Sequence, residues 1–516
     1  MKNTNTLGEQ LNFKFYHQPG NVTELTRLLE EIRAKDENFH VTSTGNNWGY
    51  GCAAPHSNSQ HHISLKNLNK IKSFDQENGL ITLEPGVTYE ILYNFLQKNA
   101  PQWIAPVHGG GPDCSVVGNA LERGYGITPI MDHFSACQSL EAILPNGEIY
   151  KSPLKSIGLD KLANSFRYGI GPYLDGMFTQ SNFGIVTEMT IKLAPKPEEI
   201  ELFFINLCEK ELDHAVEAIK LLKSKYKGIV GGINLMNKER VLSMLVDYPT
   251  DDIENLNPLS EEFIADNKKK FLIEDWNIIG AIYGPKEIVK ATKKLIKKDL
   301  RKLRARKLFI SQSKINVVKY LIEKLPILFP KSIKKSVESL SELLEILNGI
   351  PKKTALKLAY WKNLSNKNYN NPTHDNCGLI WYAPLVELSK DNVREYINFI
   401  RDVSKRFDIN PLITLTTVDE LCLDSTIPIL FNKEDMRDQK RAHEYFDTLL
   451  EEGFKKGFFP YRFGTNSMKS FTDKLDPDYA EILNKIKDSF DHQRLYAEGR
   501  YMRELESKKK NKIAII

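Results

Sequence analysis

No apolar stretch in this 516-residue chain approaches the roughly 18 residues that a membrane-spanning helix needs. The opening MKNTNTLGEQLNFKF also lacks the apolar core of a secretory signal. Cysteine is sparse: the six residues Cys52, Cys114, Cys137, Cys208, Cys377 and Cys422 are scattered, with no CxxC and no zinc-type spacing, which argues against a disulfide framework and against a metal site. A reducing cytoplasm and no membrane partner are the expectation. Neither a Walker A motif nor a strand-linked GxGxxG is present, so the usual nucleotide fingerprints fail. A dominant charge is missing too. Lys plus Arg number 71 against 66 Asp plus Glu, a formal +5, which argues against a dedicated nucleic-acid protein and favours small-molecule chemistry.

What is there is length and alternation. A chain of this size exceeds what one hydrophobic core serves, so two large lobes are expected, one of which can draw on both chain ends. Residues 20–195 alternate helical and strand-like segments. NVTELTRLLEEIRA (21–34) reads as an amphipathic helix, followed by the strand candidates HHISL, LITLEPGV, SLEAILPNGEIY and GIVTEMTIKLA. Past Ala194-Pro-Lys-Pro197 glycine thins and lysine-rich helices take over, so a second lobe begins near Glu198. Within it, 286–307 carries eleven basic residues with Val289, Ile296, Leu300 and Leu303 at helical spacing, a cap helix with a solvated basic face. Strands are expected at 379–385 and 411–416, separated by a helix over 390–407, and the Asn-rich 365–376 reads as an exposed loop. The fold class is α+β.

Two glycine-rich segments carry the chemistry. Glycine admits positive φ and lets successive N–H groups point into one concavity, an anion nest without side-chain charge. VTSTGNNWGYGCAAP (41–55) can form one, although Gly/Asn/Ser loops are also ordinary turns. HGGGPDCSVVGNALERGYGITP (108–129) repeats the pattern, and EPGVTY (84–89) lies between them. Two such loops in one lobe imply an extended ligand with an anionic middle and flat rings, the shape of a flavin dinucleotide. Tyr50 keeps a ring inside a loop that otherwise sheds bulk, so it either packs or faces a cavity. Trp48 reads as a packing or wall residue. Tyr461-Arg462 follows a turn, where an arginine is ordinarily a surface or ion-pair residue.

STGNNWGYGCAAP, LEPGVTYEIL, SVVGNALERGYGITP and GPYLDGMFTQSNFGIVTEM, with YGPKE, NCGLIWYAP and FFPYRF in the same order further on, resemble the vanillyl-alcohol oxidase and p-cresol methylhydroxylase flavoproteins over nearly the whole chain. The resemblance implies a two-lobed protein: an FAD-binding domain made of residues 1–197 and a returning segment 457–516, with a cap, or substrate, domain over 198–456. It implies that Ser43, Gly45, Asn46, Asn47 and Gly49, with Ser115, Gly118 and Asn119, hold the FAD diphosphate. Pro85, Gly86, Gly184, Ile185 and Val186 then lie on the adenine or ribitol side, and Arg500 near the flavin ring. It further implies that Tyr50, Tyr461 and Arg462 together hold a phenol oxygen, so that a para-substituted phenol is oxidised at its benzylic carbon. Electrons would pass to O2 or to an electron-transfer partner, and the chain would form a homodimer. A non-phenolic substrate and a catalytically silent flavin-binding protein are the alternatives.

Three features depart from that pattern. The family's flavin-proximal Asp lies in a P-D-x-G-G-G-S turn, whereas this chain reads His108-Gly-Gly-Gly-Pro-Asp113-Cys-Ser115, about two residues longer. Asp113 is taken as the substitute, with His108 as the other candidate. Leu423 and Asp424 stand in the region where relatives carry a His pair. For covalent flavin attachment only Tyr369 and His374 are near in sequence, and non-covalent FAD stays open.

Overall fold

The computed structural model describes residues 4–55, 59–363 and 370–504. Local signals set the first elements. Asn21 caps the helix Val22–Ala34 through its side chain, which accepts from the Glu24 amide, and the Leu25, Leu29 and Ile32 stripe is buried. Thr88 caps Tyr89–Asn99 in the same way. The strands Phe15–His17, His61–Ser64 and Phe39–Thr42 pair in parallel in that spatial order. Ile71–Asp75, Leu80–Leu83, Ile185–Lys192, Cys137–Ile143 and Ile149–Lys151 form a five-stranded antiparallel sheet.

After Lys192 the chain leaves that sheet and at Glu199 enters an eight-stranded antiparallel one. Its path runs Arg306–Ser311, Glu199–Leu207, Trp276–Gly284, Val230–Asn237, Thr414–Thr417, Cys422–Phe431 and Gly378–Tyr382, with Leu385–Glu387 also paired to Cys422–Phe431. Period-two alternation gives this sheet two different faces. Phe203, Ile205, Leu235, Ile278 and Leu415 are buried in a core shared with the helices Leu212–Lys225, Lys390–Arg406 and Met436–Lys455. Their neighbours Phe204, Asn206, Asn234, Ile279 and Thr416 instead line a cavity.

The expected helix over 286–307 is shorter than the sequence suggests. It ends at Asp299, tightens through Leu300–Lys302, and Arg306 and Lys307 belong to the sheet's edge strand. Leu303 is buried, but in the turn rather than on the helix face.

The last segment returns to the first. Phe39 N–H donates to the Leu495 carbonyl at 2.9 Å and Ala497 N–H to the Phe39 carbonyl at 2.9 Å. Asn182 Nδ2 donates to the Ala497 carbonyl at 3.0 Å. Lys487, 0% exposed, pairs with Asp491 at 2.6 Å and donates to the Tyr496 carbonyl at 3.0 Å. A fully buried cation is tolerated because each of these acceptors replaces water. Among the described residues no helix is long and apolar enough to cross a membrane.

Candidate active site

A cavity of about 1030 Å³ lies against the inner face of the eight-stranded sheet and the two glycine-rich loops, at the upper end of the range for small-molecule and cofactor sites. The first loop leaves the strand Phe39–Thr42 with Gly45 at φ +75° and Gly49 at φ +78°. A side chain is excluded at Gly49 twice over: by its left-handed backbone, and because a Cβ there would stand 2.3 Å from Cδ1 of Trp381. The backbone amides of Gly45, Asn46 and Asn47 donate to no other described residue, although all three residues line the cavity. Unpaired N–H groups around a concavity are what an anion requires.

The second loop closes against the first. Ser115 caps the short helix Val116–Leu121: its Oγ accepts from the Gly118 amide at 2.8 Å and donates to the Pro85 carbonyl at 2.6 Å. Its hydroxyl is therefore already committed to tying Pro85 to the loop. A Cβ at Gly118 would lie 2.4 Å from Oγ of Ser43, so a methyl fits there only if that hydroxyl turns away. Asn119 Nδ2 donates to the Tyr89 hydroxyl at 3.1 Å and also contacts Nδ1 of His133. Ser43, Pro85, Ser115, Gly118, Asn119, Gly184, Ile185 and Val186 all line the cavity, whereas Gly49 and Gly86 stand behind it as packing positions. This cradle of glycines and unpaired amides fits the diphosphate of FAD.

Beyond the cradle, Tyr50, Tyr461 and Arg462 converge on the same cavity. Arg462 stacks its guanidinium 4.6 Å from the centre of the Tyr50 ring, donates to Oδ1 of Asn47 at 2.6 Å, and faces Glu122 Oε2 at 3.3 Å. Two chain segments are stitched to hold this: Thr465 N–H donates to the Tyr50 carbonyl at 3.2 Å, and Gln180 Nε2 to the Tyr461 carbonyl at 3.0 Å. Burial pushes Tyr461 up to about 12, Asp424 adds to that rise, and Arg462 and the Tyr50 hydroxyl oppose it. Burial also drives Tyr50 well above the ordinary phenol value, and neighbouring Tyr461 adds to it. Both hydroxyls thus stay protonated as hydrogen-bond donors beside a permanent cation. Trp48, nearly buried, forms part of the wall.

Two carboxylates that the sequence did not mark for this role complete the electrostatics. Glu122 binds Arg500 through Oε1 and faces Arg462 through Oε2, so one anion sits between two cations. Arg500 also donates through Nε to the Ser181 carbonyl at 3.2 Å. Asp424 is fully buried, accepts from the Tyr125 hydroxyl through Oδ2, and has no hydrogen-bond partner at Oδ1 among the described residues. Burial holds it well above the ordinary carboxylate range. The Tyr125 ring lies 5.8 Å from that of Tyr461, so Asp424 anchors a ring that packs beside the tyrosine pair.

The structure does not bring Asp113 to the cavity. Its side chain is about half exposed and faces Lys353 at 3.9 Å, and only its backbone carbonyl serves the site, accepting from Asn46 Nδ2 at 3.0 Å. The longer turn carries the carboxylate outward. His108, in contrast, lines the cavity. Its Nδ1 accepts from the Gly110 amide at 2.6 Å, and burial brings it down to about 4, so it is a neutral imidazole whose Nε2 carries the proton. That Nε2 has no partner among the described residues. His374 is exposed and does not line the cavity, and Tyr369 lies outside the described residues.

The sequence profile of the FAD binding domain matches residues 13–152, the stretch that holds both glycine-rich loops. The chain is 29% identical to 1'-carboxy-chondrochloren decarboxylase of Chondromyces crocatus, over 94% of this chain and 89% of that protein. It is 26% identical to the 4-cresol dehydrogenase [hydroxylating] flavoprotein subunit of Pseudomonas putida, over 89% of this chain and 82% of that one. Among solved structures, 4-ethylphenol oxidase from Gulosibacter chungangensis, in its isoeugenol complex, shares the fold with a TM-score of 0.85 at 19% identity, covering 98% of this chain and 92% of that chain.

Proposed function

We propose that this chain, which belongs to the vanillyl-alcohol oxidase and p-cresol methylhydroxylase flavoproteins and is an FAD-dependent oxidoreductase, oxidises a para-substituted phenol at its benzylic carbon. The observation that carries the reading is the meeting of Tyr50, Tyr461 and Arg462 at one cavity wall. A free phenol ionises near pH ~10. Two protonated hydroxyls and a desolvated guanidinium around its oxygen favour the anion, and the phenolate pushes electron density toward the para carbon. Bound FAD supplies the acceptor for the hydride that leaves the benzylic carbon. The substrate is left as a quinone methide, which takes up water or loses a proton from its side chain. Neutral His108, with its free Nε2–H, stands in the second glycine-rich loop in place of an acidic residue and keeps that wall uncharged.

A second reading of the same site is supported by the decarboxylase relative. If the substrate bears a carboxylate on the carbon adjacent to the oxidised one, the electron pair of that C–COO⁻ bond becomes the new double bond to the oxidised carbon and the quinone methide returns to a phenolate. Carbon dioxide then leaves and a 4-hydroxystyryl product forms. Both readings begin with the same phenolate and the same hydride loss.

The reading divides the chain at 197/198 and 456/457, which the change of sheet after Lys192 and the return of Leu495 and Ala497 to Phe39 support. The homodimer is supported by the exposed apolar run Ile157, Leu159, Leu162, Phe166, Tyr168 and Ile170. A cytoplasmic location fits the six free thiols.

The test is anaerobic titration of the holoenzyme with 4-ethylphenol, 3-(4-hydroxyphenyl)propanoate and the matching non-phenols, following the flavin spectrum and released CO2. Bleaching by phenols alone, slowed about tenfold or more in Tyr461→Phe, is the expected result. Equal bleaching by non-phenols, or a Tyr461→Phe variant reduced as quickly as the parent, ends the phenolate reading.

A further inference from the structure

The cavity extends from the tyrosine pair to the helix Lys238–Leu245, where Arg240 and Met244 line it, followed by Val246 and Asp247 just beyond the helix. The arginines on this lining have different partners. Arg462 and Arg500 share Glu122. Arg306 is exposed and gives its guanidinium to the Leu272 carbonyl. Arg240 has no acidic partner among the described residues: the one hydrogen bond its guanidinium makes goes from Nη1 to Ser243 Oγ at 3.0 Å. Ser243 is itself buried and donates back to the Arg240 carbonyl at 2.7 Å. The backbone is fixed as well, with the Arg240 amide donating to Oδ1 of the capping Asn237 at 3.1 Å.

A guanidinium offers five donors in a rigid fork. Here the side chain is half-buried on the cavity wall, four of the donors reach no described residue and face the cavity instead, and loss of surrounding water lowers the group to about 10. A half-buried guanidinium on a cavity wall, with no carboxylate paired to it among the described residues, is free to meet an anion that enters the cavity. Thr414, on the eight-stranded sheet, lines the same cavity with a hydroxyl that has no partner among the described residues and is able to donate.

We infer that Arg240 receives a carboxylate carried on the substrate's side chain, opposite the end held by Tyr50, Tyr461 and Arg462. This deepens the proposed function and rests on it for the phenol end alone. A bidentate guanidinium–carboxylate pair fixes the direction of the side chain. It therefore selects aryl-alkanoic acids over simple alkylphenols, and it holds the carboxylate-bearing carbon in a constant orientation beside the oxidised carbon.

The test compares the parent, Arg240→Lys and Arg240→Met holoenzymes with 4-propylphenol, 3-(4-hydroxyphenyl)propanoate and 3-phenylpropanoate. Binding of the last, which has no phenol to oxidise, is read by calorimetry, and flavin reduction reports the other two. Arg240→Met should weaken both acids on the order of a hundredfold, Arg240→Lys less so, with 4-propylphenol unchanged. Because the parent's half-buried guanidinium makes one side-chain hydrogen bond and no ion pair among the described residues, Arg240→Met should melt close to the parent, whereas a purely structural arginine would leave a less stable variant. Acids that bind Arg240→Met as tightly as the parent overturn the inference, and so does loss of bound FAD from that variant. Arg240-dependent binding of 3-phenylpropanoate without flavin reduction by either phenol sustains this inference while ending the phenol reading. Reduction by 4-propylphenol with no preference for acids does the reverse.

Discussion

Arg462 and Asn47 meet across 415 residues of chain, joined by a 2.6 Å hydrogen bond from Nη2 to Oδ1. One side chain of the cofactor loop thus fixes the guanidinium that the proposed substrate would meet. Loss of the cation should therefore separate catalysis from folding. Arg462→Ala is expected to slow flavin reduction by 4-alkylphenols about a hundredfold or more, with Arg462→Lys between it and the parent. Stopped-flow reduction under nitrogen measures it, and rates within threefold of the parent would contradict the role.

Glu122 is the counter-charge to two arginines and is only 15% exposed at its side chain. Glu122→Gln leaves both cations without their anion and should cost about 2 kcal/mol of unfolding free energy in urea titration. Asp113→Asn serves as the comparison. Its side chain is half exposed beside Lys353, so stability should stay within about 0.5 kcal/mol and flavin reduction within about twofold. A large loss of reduction rate in Asp113→Asn would restore that residue to the site.

Burial brings His62 down to about 4, with the neighbouring His17 adding to the shift. Its ordinary value is about 6.5. A histidine with a depressed folded value contributes stability that is complete above the unfolded value and is lost as pH falls through the folded one. Unfolding free energy should therefore decline between pH 6.5 and pH 4, by up to about 3 kcal/mol from this group. His62→Gln should flatten that decline, measured by urea titration at half-unit steps. An unchanged slope in the variant would refute the assignment.

Gly49→Ala combines a φ of +78° with a Cβ 2.3 Å from the Trp381 ring. An aromatic ring pinned in the wall cannot swing aside as a serine hydroxyl can, so the variant should lose about 2 kcal/mol or more and release FAD on gel filtration. Gly118→Ala, which meets the small Oγ of Ser43, should be milder, and Ser43→Ala should relieve part of its effect.

Local signals were legible in the sequence: the Asn21 cap, the period-two strands, and the glycine loops whose backbone the structure shows in left-handed conformations. The tyrosine pair and Arg462 became legible through family resemblance, since nothing in YRF itself distinguishes a buried arginine from a surface one. Asp424 was noticed only as a departure from the His pair of relatives, and Glu122 stayed hidden, because their environment is made by crossing segments: Glu122 gains meaning only when residues 462 and 500 arrive beside it. Arg240 was silent for the same reason, one basic residue among many until its lack of a carboxylate could be seen. Asp113 misled because a turn two residues longer reverses where a side chain points. The 286–307 helix was overextended because lysine-rich periodicity does not reveal that Arg306 pairs with Asn206 at a sheet edge.

The eight-stranded sheet divides its labour by parity. Along Asn234, Leu235 and Met236, the outer two meet whatever occupies the cavity while the middle one is sealed among the helices. Replacement at one parity retunes what the cavity accepts, and at the other it threatens the scaffold. A lineage carrying this architecture can therefore drift from one substrate to another by single steps along a strand, with each step leaving the packing behind the sheet untouched.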